Sequence, residues 1–389
     1  MTELKVDAIV NLAGSGKPNL PVAPTVGSNA AISTLNTHSY TSSGTEPSSP
    51  KNGALWWDSA NDKVMVYIDG GFKEVELNAS SSSAANYGDR GFSFGDDGTV
   101  QPERIQYIDL TSAGNATDFG DLTVGGAESS ACSNGTTAFR MGGHNGSGTR
   151  QNVIEKWTTS TLGNGSDHGD LSAACNYCHG NSDAITGICV IGNTGSYSDA
   201  IDKFTMASAG NSTDFGNLTY ARAYGGSGAS VATARMINFG GYSTGGTSGY
   251  HDDCDYITIT TAANAVDFGD LIEANHYCTG VGSGSGDRVL QLGGTENTGS
   301  GGYRSDRIQY FDLASLGNAT DAGNLTTVMG EVSAGMNTAT HGFKAGGYGT
   351  SAVVNTIQRT VLATGANATD WGDLLQASYD TTGTSGSPS

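Results

Sequence analysis

Gly114-Asn115-Ala116-Thr117-Asp118-Phe119-Gly120-Asp121-Leu122 decides the reading of the whole chain, because it returns. Related nonapeptides begin at Gly163, Gly210, Ala263, Gly317 and Ala366, at spacings of 49, 47, 53, 54 and 49 residues. Asn stands second, Asp fifth, Gly seventh and Leu ninth in all six copies. A period near fifty residues marks a repeated supersecondary unit that buries its apolar face against its neighbours. Asn and Asp bond their own backbone two residues on, and Gly supplies positive φ. The phrase is therefore predicted to be a compact turn whose Leu plugs into a core.

Just before each phrase lie residues 104–110, 153–159, 200–206, 253–259, 307–313 and 356–362. In Arg307-Ile308-Gln309-Tyr310-Phe311-Asp312-Leu313, as in most copies, apolar and polar residues alternate with the period of a half-buried strand. Another strand is expected to end at each glycine pair, as at Met141-Gly142-Gly143, Phe239-Gly240-Gly241, Leu292-Gly293-Gly294 and Ala345-Gly346-Gly347. A further strand is expected after each Leu, at 173–179, 220–226 and 273–280 for example. Four short strands with Gly-rich turns make one blade of a propeller. The first unit, from Asp89, lacks a preceding strand, and the chain continues past Leu374 without completing a seventh unit. This tail is predicted to pair with the first unit and remove the edges an open array would leave.

Composition agrees with an all-β chain. Gly accounts for 59 of 389 residues, while charged residues are 14% and aromatic residues 8%. The net charge is −20, with no Lys/Arg cluster to meet a phosphate backbone, so nucleic acid is excluded as a partner. No basic n-region with an apolar core opens the sequence, and no run of eighteen apolar residues occurs; neither Sec export nor membrane insertion is expected. Six Cys in this length imply buried thiols rather than a disulfide framework.

With diglycines ending one strand and an aromatic-bearing strand downstream, the units over about residues 88–389 resemble divergent kelch repeats. The late Trp of a standard kelch unit is mostly absent; Trp157 alone sits in a comparable strand. The expected fold is all-β, a six-bladed kelch-like β-propeller over 86–389 closed by its C-terminal strand, with a small N-terminal β-hairpin anchor module within 1–85. The nonapeptide is similar to repeats in virion structural proteins of marine tailed phages, cyanophages in particular. Residues 4–21 resemble the leader of phage tail-fibre and decoration proteins, and 50–58 with 63–75 are similar to a small β module of phage structural proteins.

From the residues alone, 55–57 and 64–68 are β-rich runs joined by a polar turn, hence a hairpin. The linkers 28–49 and 78–85 are Ser/Thr/Asn/Ala-rich. So small a module buries little alone, so it is expected to pack on other virion proteins, with Trp56, Trp57, Tyr67 and Phe72 as anchor residues. The resemblance implies a virion structural protein, homo-oligomeric and assembled in the host cytoplasm. Its preferred form is a tail fibre or appendage that recognises a host-surface glycan or protein. A capsid decoration or head fibre is the alternative, and a glycan-cleaving propeller enzyme the more distant one.

No catalytic residue, metal or cofactor is expected. The phrase Asp residues 118, 167, 214, 267, 321 and 370 recur once per unit, so they are spread around a ring and cannot converge on one substrate. The Ser-x-Asp-x-Gly-x-x-Trp box of sialidase-like propellers is not what the phrase spells. Cys175-Asn176-Tyr177-Cys178-His179 offers one Cys pair where zinc needs four ligands. Cys178 and Cys278 each lie seven residues after a phrase Leu and are predicted to be small buried side chains. In His251-Asp252-Asp253-Cys254-Asp255, strand alternation sets Asp253 and Asp255 on one face and Cys254 on the other. The longest insertions, 242–252 and 295–305, carry Tyr250 and Tyr303, the candidate binding residues.

Overall fold

In each repeat, the alternating segment before the phrase is a strand: Arg104–Asp109, Gln151–Thr158, Ala200–Thr205, Asp253–Thr258, Arg307–Asp312 and Thr356–Val361. Ile105 and Gln106 point to opposite faces, yet both are buried, as are Ile308 and Gln309. These sheets are therefore covered on both sides. The computed structural model describes residues 88–96 and 102–387, except 231, 244–248, 283–285 and 298–301. It also describes 25–26, 30–31, 41–43, 45, 48, 54–58, 63–68 and 71–74. The chain divides into two units, 1–82 and 83–389.

Among the described residues the second unit has no helix and holds six four-stranded antiparallel sheets in succession, a propeller-like arrangement. The nonapeptide is not the expected turn. Its middle is the outermost strand of a sheet, as at Thr117–Asp121, Thr213–Asn217 and Thr369–Asp373, and a β-bulge sets it against the preceding strand in every copy. Nor does its Asn serve its own backbone. The amide of the eighth phrase residue donates to the phrase Asn of the next repeat, from Asp121 to Asn164, Asp170 to Asn211, Asn217 to Asn264, Asp270 to Asn318 and Asn324 to Asn367, at 2.9–3.2 Å. Asp373 donates to Asn115 at 3.1 Å, joining the last repeat to the first.

The seventh-position Gly is required by the same junction. A Cβ on Gly120 would lie 2.4 Å from the Gly163 carbonyl oxygen, and one on Gly372 2.1 Å from that of Gly114. A second polar link repeats deeper in. Buried Glu155 accepts from the amide of Thr123, Asp202 from Ser172, Asp255 from Thr219, Gln309 from Ile272 and Gln358 from Thr326, and Gln106 accepts from Leu375 at 2.9 Å. Six apolar clusters fill the wedges between successive sheets, among them one joining Ile108 and Leu110 to Phe343 and Trp371.

The strands expected after each Leu begin later than the sequence suggested. They are Ser130–Ser133, His179–Ser182, Gly226–Ser230, Thr279–Gly282, Ala334–Asn337 and, in the tail, Thr382–Gly386. Thr382–Gly386 pairs antiparallel with Arg90–Phe94, so the tail supplies the fourth strand of the first sheet. These innermost strands pack on one another in sequence, and Thr382–Gly386 touches both Ala334–Asn337 and Ser130–Ser133. Their Gly, Ser, Ala and Thr content allows that approach.

In the first unit, Leu55–Asp58 pairs antiparallel with Lys63–Ile68, which pairs with Gly71–Glu74; Thr41–Ser43 adds a parallel strand. Tyr67 and Phe72 meet edge to face at 5.2 Å. The side chains of Trp56 and Trp57, the leader 4–21 and most of both linkers lie outside the described residues.

Candidate functional site

Between each outer strand and the next innermost strand the chain must reverse direction, and it does so the same way six times. The sixth residue after every phrase Leu has a left-handed backbone: Glu128 (φ 55°), Tyr177 (50°), Tyr224 (62°), Tyr277 (56°), Glu331 (61°) and Asp380 (55°). None is Gly, and positive φ in bulky residues is a genuine outlier of the kind that gathers at functional sites. In chain order, three tyrosines form one arc and three acids the other. Glu128, Tyr177 and Tyr224 line a cavity of about 80 Å³ enclosed by the innermost strands. Glu128 N donates to Asp380 O at 2.9 Å and Tyr277 N to Tyr224 O at 2.7 Å, which ties Asp380 and Tyr277 to the same mouth; Val332 and Ser333, next to Glu331, line the cavity.

The tyrosine arc is in ring contact. Tyr177 and Tyr224 lie 3.9 Å apart between centroids, Tyr224 and Tyr277 5.2 Å, and Tyr177 and Tyr277 6.1 Å. Burial, then the charge of Glu128, pushes the Tyr177 hydroxyl far up; burial pushes Tyr224 up to about 12 and raises Tyr277, which also feels Glu331 and Asp380. All three stay neutral phenols. Glu128, 2% exposed, accepts from Asn176 Nδ2 at 2.6 Å and sits 3.3 Å from His144 Nε2. Burial raises the Glu331 carboxyl, partly countered by Arg304 at 3.9 Å.

Below the mouth the lining is polar. His179 is 7% exposed, and neither of its ring nitrogens has a hydrogen-bond partner; Ser130 Oγ and Thr381 Oγ1 are buried in the same condition. Burial holds the His179 imidazole neutral, with a value of about 3, and Arg222 adds to the effect. Buried polar atoms need partners. The residues that carry them line the cavity. On the far wall, Lys344 Nζ donates to Thr279 Oγ1 at 2.8 Å and to Ser333 Oγ, and burial lowers it to about 7.

Of the residues singled out in the sequence, Tyr250 adjoins this region. Its ring meets Tyr242 at 5.2 Å and His276 at 4.6 Å, and Tyr242 and His276 contact Tyr224 and Tyr277 in turn. Tyr303 is 44% exposed but serves its own hairpin, donating to Glu296 Oε2 at 2.6 Å. The six phrase Asp residues are exposed on outer strands, where a charge blunts a free edge. All six cysteines are free and buried, Cys178 and Cys278 beside the cavity. Among the described residues no group of three or more His, Cys, Asp or Glu is placed to hold a metal.

The 251–255 cluster is a clasp. Asp255 meets Arg222 at 2.9 Å, and Asp253 accepts from Tyr220 OH at 3.1 Å. Ser243 Oγ, His251 Nε2, His251 Nδ1 and Asp253 Oδ2 are spaced like a nucleophile relay, at 2.7 and 3.2 Å. The corresponding pair in the next sheet, Glu296 and Ser305, bonds at 2.8 Å.

The set of six left-handed positions is not among the sequence expectations. Its signal was present: aligning the repeats on their Leu brings Glu128, Tyr177, Tyr224, Tyr277, Glu331 and Asp380 into register.

No protein-family model matches the sequence, and no curated protein matches it. Solved structures do match. One, described as "Structure of YjhT", is 11% identical over 67% of this chain and 91% of that one, with a TM-score of 0.52. At that identity the likeness is one of fold alone.

Proposed function

We propose that the chain is a non-enzymatic display and recognition protein of a virion. In this reading a closed six-bladed kelch-like propeller presents the axial mouth, and the N-terminal β unit anchors it to other virion proteins, in a homo-oligomer. A tail fibre or appendage that recognises a host-surface glycan or protein is the preferred form; a head decoration is the alternative. The virion assignment stands on the resemblance of the nonapeptide and the N-terminal residues to phage structural proteins.

The observation that carries the recognition role is the contrast at the axis. Six equivalent junctions are stapled identically at the rim, from Asp121–Asn164 round to Asp373–Asn115, while the six left-handed positions carry different chemistry. A rigid body with one non-uniform mouth suits binding.

Cryo-electron microscopy of the particles, with mass spectrometry of the purified virion fraction, tests the placement. The propeller is expected as density on the tail. Density on the capsid lattice replaces the tail form with the decoration form, and absence of the chain from particles removes the virion reading. The enzyme alternative is tested separately with a fluorophosphonate probe, which is expected to leave Ser243 unlabelled. Labelling abolished by His251→Ala would overturn the non-enzymatic reading.

A further inference from the structure

We propose that Cys175 and Cys178 form a redox-active dithiol, oxidised to a disulfide by a peroxide that enters the axial cavity. The proposal does not depend on what the mouth recognises. Cys175 ends the outer strand of the second sheet, Ser166–Cys175, and Cys178 immediately precedes the innermost strand of the third, His179–Ser182. Between them the left-handed Tyr177 bends the chain. A Cβ on Gly142 would lie 2.8 Å from Cys175 Sγ and 3.0 Å from Cys178 Sγ, so both sulphurs converge on one point of that backbone. Cys189 joins them, and the three thiols interact with one another inside one apolar cluster. Cys178 also lines the cavity, whose volume of about 80 Å³ admits a molecule as small as hydrogen peroxide.

The fold contains its own comparison. Cys278 occupies the equivalent place two repeats on, seven residues after its phrase Leu, and lines the same cavity. A Cβ on Gly240 would lie 3.2 Å from its Sγ, but Asn275 stands where the second repeat has Cys175. Burial pushes the Cys278 thiol up to about 12. At Cys178 the balance is opposite: the thiols of Cys175 and Cys189, then the Gly143 amide and the charge of Arg140, favour the thiolate and outweigh burial. While protonated, Cys178 donates to Met141 O at 3.4 Å and to Glu128 O at 3.7 Å. A thiol that gives up its proton beside a second thiol is the arrangement that peroxide oxidises.

The Cys178 thiolate attacks one peroxide oxygen, the O–O bond breaks and hydroxide leaves, giving a sulfenic acid. The Cys175 sulphur then attacks that of Cys178; the S–O bond breaks, the S–S bond forms, and the departing hydroxide takes up the Cys175 proton. Two thiols lose two electrons and two protons, and hydrogen peroxide becomes two waters.

The test treats the folded full chain with hydrogen peroxide and alkylates the remaining thiols in denaturant. Chymotrypsin then cleaves after Tyr177 without reductant, so that mass spectrometry reads the link between Cys175 and Cys178. That bond is expected, with Cys278 oxidised at least about tenfold more slowly. The comparison lies within the wild-type chain and needs no variant to fold. Cys189→Ala, checked by thermal melting, is expected to keep the bond. Six free thiols after treatment, a bond to Cys189 in place of Cys178, Cys278 reacting as fast as Cys178, or loss of the bond in folded Cys189→Ala would overturn the proposal.

Discussion

The outer rim and the axial mouth are both built from positions that occur once per repeat, and they treat that repetition in opposite ways. At the rim the recurring residue is chosen by its neighbour in the next repeat: Asn164 receives Asp121, and Gly120 leaves room for Gly163. Every junction needs the same answer, so the residues cannot vary. At the mouth the recurring feature is the backbone conformation, and the side chains it carries differ from repeat to repeat, as do the partners they find, Asn176 and His144 for Glu128 and Arg304 for Glu331. Regularity marks the scaffold; in the proposed reading, departure from it marks the recognition surface.

The largest effect should come from removing the strand that the tail adds to the first sheet. Removing 381–389 takes away Thr382–Gly386 and exposes the edge of Arg90–Phe94, and differential scanning calorimetry is expected to show the melting transition lowered by roughly 10 °C or more. An unchanged transition would mean that closure contributes little.

The rim should be nearly as intolerant. Gly372→Ala drives a Cβ to 2.1 Å from a carbonyl oxygen and is expected to cost about 2–4 kcal/mol in denaturant melts. Gly163→Ala, where nothing lies within 4 Å, is the matched control and should change little.

Lys344, beneath the mouth, should give a smaller effect with a pH signature. Burial holds it near about 7, below the value of the unfolded chain, so between pH 7 and 10 the unfolded state binds the extra proton and wild-type stability gains with rising pH. Lys344→Met removes that contribution. The variant is expected to be more stable than wild type below pH 7, by on the order of 2 kcal/mol, with the difference fading towards pH 10. A pH-independent difference would show that the ammonium is not destabilised by burial.

The smallest effect belongs to the mouth. Glu331→Gly meets its left-handed backbone with a residue suited to it and should leave stability within about 1 kcal/mol of wild type, in contrast to the rim glycines. A large loss would show that Glu331 is part of the scaffold.

The repeat was legible in the sequence because its most constrained residues are also its most regular. Spacing located the strands before each phrase, the diglycines and the role of the tail. Gly142 and Gly143 do have positive φ, as their turn requires. The local role of the phrase was misjudged for a physical reason: Asn115 and Gly120 look like turn formers, and their actual partners lie one repeat away, where one unit's own sequence gives no sign of them. The mouth was missed for the converse reason. Tyr177, Glu331 and Asp380 share a conformation but no chemistry, so residue identity hid an equivalence that backbone angles reveal. Tyr250 and Tyr303 were chosen alike from loop length, and only the ring contacts of Tyr250 lead toward the axis.

Closure also bears on how the molecule comes into being. Asp373 and Asn115, which join the last repeat to the first, stand 258 residues apart, so this contact has among the highest sequence separations in the fold and is costly to reach early. As the chain emerges from the ribosome, the first sheet waits with three strands and an open Phe92–Phe94 edge until Thr382–Gly386 arrives. During that interval another copy's last strand offers the same hydrogen bonds. The late arrival of Thr382–Gly386 therefore makes the Arg90–Phe94 edge the point at which strand exchange between copies would compete with folding.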